Sequence, residues 1–130
     1  MNLLLPSPLE KLDIVLNNNV KLYLKRDDLI HQYISGNKWR KLKYNISDLL
    51  KQKKQTILTV GGAFSNHIMA TAAAANLHAI NSIGIIRGEE LNVNSNDNLA
   101  FASAQGMQLF FVERNTYNKR HDSNFVKIDM

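Results

Sequence analysis

From residue 56 onward the chain alternates apolar runs with helix-length segments, and this order restricts the fold more than any other feature. Residues 56–60, 80–86 and 107–112 are short, apolar and suited to strands. Between them, residues 64–77 and 96–105 are long enough and regular enough for helices, and Gly106 stops the second. Short connections in a strand–helix–strand–helix–strand order predict an α/β fold: an open, twisted parallel sheet with helices on both faces. Residues 64–77 contain Ala70 and Ala72 to Ala75, and small side chains all round let a helix pack closely against a sheet.

The first half reads less regularly. Pro6 and Pro8 break the start of a leader over 3–19, within which 9–16 is predicted as a short helix. Residues 20–26 alternate apolar and basic side chains, the period of a half-buried strand that Asp27-Asp28 ends. A loop is expected over 29–36. A helix is expected from 38 to about 53, with Trp39, Leu42, Ile46, Leu49 and Leu50 on one face. Another helix is expected to begin in 117–121. No Pro-, Gly- or Ser-rich linker divides the chain, whose 130 residues suit one domain with a real core.

Composition removes several chemistries. With no cysteine there is no disulfide, thiolate metal site or cysteine nucleophile, and His31, His67, His78 and His121 form no spaced ligand pair. No apolar run approaches the length needed to span a bilayer. The start has no basic leader followed by an apolar segment, so a cytoplasmic location is expected. The net charge of +5 suits an anionic ligand or a nucleic acid. The basic residues of 38–54 spread over several helix faces, and only Trp39 interleaves with them, so no nucleic-acid partner is expected.

Two turns hold the chemistry. Lys38 follows Ser35-Gly36-Asn37 in the first turn of its helix. There the positive end of the helix dipole disfavours an ammonium, which makes a carbonyl nucleophile of the amine. The alternative is a solvated lysine among Arg40, Lys41 and Lys43. Gly61-Gly62-Ala63-Phe64-Ser65-Asn66-His67 passes from a strand into a helix. Its glycines permit unusual φ and close backbone approach, and its free amides suit a carboxylate or phosphate. The alternative is an ordinary turn with Ser65 or Asn66 as N-cap. The stretch is neither a G-x-S-x-G elbow nor a P-loop, and no G-x-G-x-x-G is present. Asp27 and Asp28 read as a strand-end turn or as ion-pair partners of Lys25 and Arg26.

Three motifs in order, Lys25-Arg26-Asp27-Asp28-Leu29, Gly36-Asn37-Lys38-Trp39-Arg40-Lys41-Leu42-Lys43-Tyr44 and Gly61-Gly62-Ala63-Phe64-Ser65-Asn66-His67, resemble the 1-aminocyclopropane-1-carboxylate deaminase / D-cysteine desulfhydrase family. The resemblance covers about residues 20 to 112. It implies the tryptophan-synthase-β-like fold of type II and pyridoxal 5'-phosphate as cofactor. It implies that Lys38 forms the Schiff base with that cofactor and that Asn66 lies beside its ring hydroxyl. It makes Ser65 a catalytic and substrate-binding residue, with Asn66 and His67 also at the substrate. The Ser-Asn-His form looks more like the desulfhydrases, and both substrates stay open. The resemblance further implies a homo-oligomer, with residues 1–40 belonging to a large domain and 41–130 forming the small one. Family members are more than twice as long. The chain is therefore expected to be an N-terminal part, poorly active or inactive without the loop that grips the cofactor phosphate; the alternative is a non-catalytic α/β fragment or partner-binding module, and a basic nucleic-acid binder ranks below both.

Overall fold

The computed structural model describes residues 3–14, 16, 20–122 and 125. Its centre is a three-stranded parallel sheet of β3 (Thr56–Gly62), β4 (Asn81–Arg87) and β5 (Met107–Val112), with β4 in the middle. Residue pairs Thr56–Asn81 and Ser82–Met107 set the register, so Gly62, Arg87 and Val112 share one row at the carboxyl ends. The expected α/β architecture is present. Ile83, Ile85 and Ile86 are buried on the two faces of β4, as a central parallel strand requires.

Helix α2 (Asn66–Leu77) connects β3 to β4, and α3 (Asp97–Ala104) connects β4 to β5. Ala70, Ala73 and Ala74 pack toward Ile34, Leu42 and Ile46, the last two on α1 (Asn37–Lys51). On its other side α2 sets Ile68 and Ala72 against Ile86, Leu99, Ala102 and Met107. The alanine-rich helix is thus enclosed by α1, α3 and the sheet. The five-residue α4 (Arg114–Asn118) lies by β4, with Arg87 over the Tyr117 ring at 5.9 Å.

Several boundaries differ from expectation. α2 begins two residues late because Ser65 caps it, leaving Phe64 80% exposed outside the helix. Strand β3 runs on through both glycines. α1 ends at Lys51, and Lys53 takes φ 55. Leu50, expected on the apolar face of α1, is exposed. The last helix starts earlier than 117–121.

The stretch 9–16 is not a helix in its described part. Leu9–Leu12 is β1, antiparallel to β2 (Leu22–Lys25). Cross-strand bonds from β2 satisfy the backbone there, and the Arg26 amide donates to the Pro8 carbonyl at 2.9 Å. Residues 15 and 17–19 lie outside the described residues. β2 is exposed on both faces rather than half-buried, since β1 is its only strand partner and no helix covers the pair among the described residues. No helix among the described residues is long and apolar enough to cross a membrane.

Candidate active site

Lys38 owes its position to the turn before it. Asp27–Leu29 forms a single 3-10 turn whose first carbonyl accepts from the Gly36 amide at 2.8 Å. Gly36 is the N-cap of α1 at φ 58, ψ −133, a conformation open to glycine but costly for other residues. A Cβ there would meet nothing within 4 Å, so the requirement is the backbone's alone. Gly36→Ala is expected to cost about 1–3 kcal/mol of stability, measurable as a fall in the urea midpoint. Beyond Gly36, the half-buried Lys38 donates from Nζ to Asn37 Oδ1 at 2.9 Å.

The same loop is held inside by His31. Its Nδ1 accepts from the amides of Tyr33 at 3.0 Å and Ile34 at 3.1 Å, and Tyr33 stacks on Phe101 with centroids 4.2 Å apart. Burial pushes the imidazole below its ordinary 6.5, and only the neutral ring can accept at Nδ1. The folded state therefore binds this proton less readily than the unfolded state. The stability His31 contributes is complete above about pH 6.5 and is lost as pH falls from there through the lowered folded value. Urea midpoints at pH 7.5 and 5.5 are expected to show that loss. It should shrink in His31→Asn, where an amide oxygen can still accept from the backbone but does not titrate.

In the second turn, the Ser65 amide donates to the Gly62 carbonyl at 3.1 Å, and the Ser65 hydroxyl accepts from the His67 amide at 3.3 Å. Asn66, the first helical residue, is exposed. The glycines do a different job from the one expected. Neither has positive φ. A Cβ on Gly61 would lie 2.7 Å from Ile68 Cγ1, so its close approach is to the following helix rather than to a ligand. His67 is half-buried, with its pKa lowered first by that burial and then by the charges of Lys38 and Lys41. It is neutral near pH 7, and its backbone carbonyl accepts from Thr71 Oγ1 at 2.8 Å.

The structure brings Lys38 and Asn66 to one open cleft of ≈ 340 Å³, where α1 and α2 both begin. Tyr33, Asn37 and Met69 also line it. Ser65 and His67 are not among its lining residues. His67 instead lines a neighbouring cleft of ≈ 350 Å³ with Leu42, Asn45 and Thr71. Sequence reasoning assigned no role to Tyr33, Asn37 or Met69; only Asn37, next to the lysine, carried a local signal. Asp28 pairs with Arg26 at 2.8 Å and Asp27 lies 3.9 Å from Lys25, both as read, and Asp27 also pairs at 3.0 Å with Arg40, which the sequence did not reveal. Among the described residues no cluster of three or more His, Cys, Asp or Glu side chains could hold a metal ion.

Comparison with known proteins adds relatives to this geometry. No family model matches the chain. It is 33% identical over 119 residues to a bifunctional D-cysteine desulfhydrase/1-aminocyclopropane-1-carboxylate deaminase, mitochondrial, of Arabidopsis thaliana, covering 88% of this chain and 30% of the relative. A D-cysteine desulfhydrase of Yersinia enterocolitica is 31% identical over 119 residues, covering 91% and 36%. A putative 1-aminocyclopropane-1-carboxylate deaminase of Pyrococcus abyssi is 43% identical over 72 residues, covering 55% and 22%. A crystal structure of an ACC deaminase homologue superposes with a TM-score of 0.62 at 31% identity, over 82% of this chain and 32% of that one. These relatives are named as enzymes, and the chain spans about a third or less of their length. Over the residues they share with it, the chain belongs to the 1-aminocyclopropane-1-carboxylate deaminase / D-cysteine desulfhydrase family.

Proposed function

We propose that this chain carries the lysine-bearing part of a pyridoxal-phosphate enzyme. Its substrate is a small amino acid, D-cysteine or 1-aminocyclopropane-1-carboxylate, converted to a 2-oxo acid and ammonia, with sulfide released from D-cysteine. The supporting observation is that Lys38 and Asn66 line one cleft at the starts of two helices. That donor set fits an aldehyde beside a ring hydroxyl: a primary amine for the first and a neutral amide for the second. When bound, the cofactor supplies an electron sink for bond breaking at the substrate's α-carbon.

The chain's own residues do the rest. Lys38 Nζ would hold the cofactor through its aldehyde, and the same amine would move a proton at the substrate carbon. Asn37 Oδ1 already accepts from that nitrogen and gives it a resting place. The Ser65 hydroxyl accepts from the His67 amide and keeps its own O–H to donate to the substrate carboxylate at the start of α2. His67, which the resemblance puts at the substrate, is uncharged and lines the neighbouring cleft instead. The same proposal assigns residues 1–40 to a larger domain and 41–130 to the small one, although position 40 falls inside α1 and Ile34 shares a core with Leu42. A homo-oligomer and a cytoplasmic location belong to the proposal as well, and one relative carries "mitochondrial" in its name.

By themselves, these 130 residues are expected to bind the cofactor weakly and turn over little. Among the described residues Lys38 is the one cationic side chain lining the cleft, so they offer the phosphate no second cation there. Pyridoxal phosphate added to the chain, followed by borohydride reduction and peptide mapping, tests the reading. Label should concentrate on Lys38. An even spread over the surface lysines would overturn it.

A further inference from the structure

Asp27 touches the Lys38 turn on both sides. Its backbone carbonyl accepts from the Gly36 amide at 2.8 Å, two residues before the lysine. Its carboxylate accepts from Arg40 Nε and Nη2, each at 3.0 Å, two residues after it. The arrangement is bidentate, the geometry in which arginine best fixes orientation. The carboxylate is itself anchored from outside the helix: Ser7 Oγ donates to Oδ1, and Lys25 Nζ, which also donates to Ser7, stands 3.9 Å from that oxygen. Asp27 therefore joins the N-terminal segment, the end of β2 and the first turn of α1.

This joint is separate from the neighbouring ion pairs. Arg26 binds Asp28 at 2.8 Å and Glu10 at 3.0 Å, and none of those contacts reaches α1. Gly36 needs such a joint. Its φ of 58 is not held by any side chain of its own, and no side chain caps the amides at the start of α1. The pair of contacts to Asp27 ties the residues on both sides of Lys38 to one side chain and its own backbone.

We propose that Asp27 is a positioning residue for Lys38: a two-point clamp, through the Gly36 amide and the Arg40 guanidinium, that orients the lysine in the cleft. The inference rests on the reading of Lys38 as the cofactor lysine. It does not require that Asp27 touch cofactor or substrate.

Two readouts on the 130-residue chain test it. The first is amide hydrogen exchange at residues 36–39. The second is selectivity of borohydride-trapped pyridoxal phosphate for Lys38 over Lys51 and Lys54, farther along the same segment. In Asp27→Asn and Arg40→Gln, exchange at 36–39 should quicken and selectivity should fall ~10-fold, within the ~10²-fold that a 1 Å misplacement can cost. The double variant should be no worse than either single one, because both remove the same contact. Arg26→Gln should change neither readout. If Asp27→Asn does not fold, Arg40→Gln at its exposed site carries the test. Unchanged exchange and selectivity in Arg40→Gln would overturn the clamp. If wild-type Lys38 captures no cofactor, the functional reading fails, and exchange at 36–39 still decides the clamp.

Discussion

Lys38→Ala, mixed with pyridoxal phosphate and reduced with borohydride, is expected to lose the label at position 38 and retain only the background shared by exposed lysines. Other lysines of the first helix project from later turns, whereas Lys38 lines the cleft together with Asn66. Lys38→Arg should behave like Lys38→Ala in this assay, since it keeps the charge but has no primary amine. In a longer enzyme containing this segment, loss of the amine should also remove proton transfer, a contribution of about 10²–10⁴-fold in rate, beyond the loss of covalent attachment. Asn66→Ala, by contrast, should weaken retention of the cofactor while leaving the label on Lys38. Equal total labelling of Lys38→Ala and the unaltered chain would sink the assignment.

The second large effect is one of folding. Gly61→Val is expected to destabilise the chain by about 3 kcal/mol, the upper end of the usual range for overpacking. A Cβ at Gly61 would stand 2.7 Å from Ile68 Cγ1, 2.9 Å from Ile68 Cδ1 and 3.2 Å from Ser65 Cβ. Ile68 cannot retreat. It is 1% exposed and packed against Ala72, Ile86 and Leu99. The start of α2 must move instead, carrying the Ser65 cap and Asn66 with it. Gly62→Ala is the control, because its Cβ would meet only Arg87 Nη2 at 4.0 Å. Urea unfolding of the two variants separates them, and a Gly61→Val midpoint equal to that of Gly62→Ala would contradict the packing argument.

The parallel sheet was legible because its signal is local and repeated. Each apolar run from 56 onward is a strand, and the spacer lengths admit only helices between them. The segment 9–12 was not, since a short apolar stretch reads equally as helix or strand until its partner is known. That partner, β2, contributes four residue pairs that no local period announces. At the site, Lys38 and Asn66 stood out as residues at helix starts, while Tyr33 and Met69 reach the cleft only through folding. The Asp27–Arg40 pair spans 13 positions and could not be separated by sequence from the nearer Lys25 and Arg26. The glycines at 61 and 62 were conspicuous, but their composition could not distinguish room for a ligand from room for Ile68.

The alanines of α2 have a consequence for the cleft that they do not line. Ala70, Ala73 and Ala74 are at most 1% exposed and meet Leu42 and Ile46 of α1. Methyl groups are the shortest side chains that can fill such a contact, so they set how near the two helix axes come. Lys38 and Asn66 stand at the leading ends of those same helices. The alanines act as a spacer block one or two turns away: the separation of Lys38 from Asn66 is gauged in the core and not in the cleft that the two residues line.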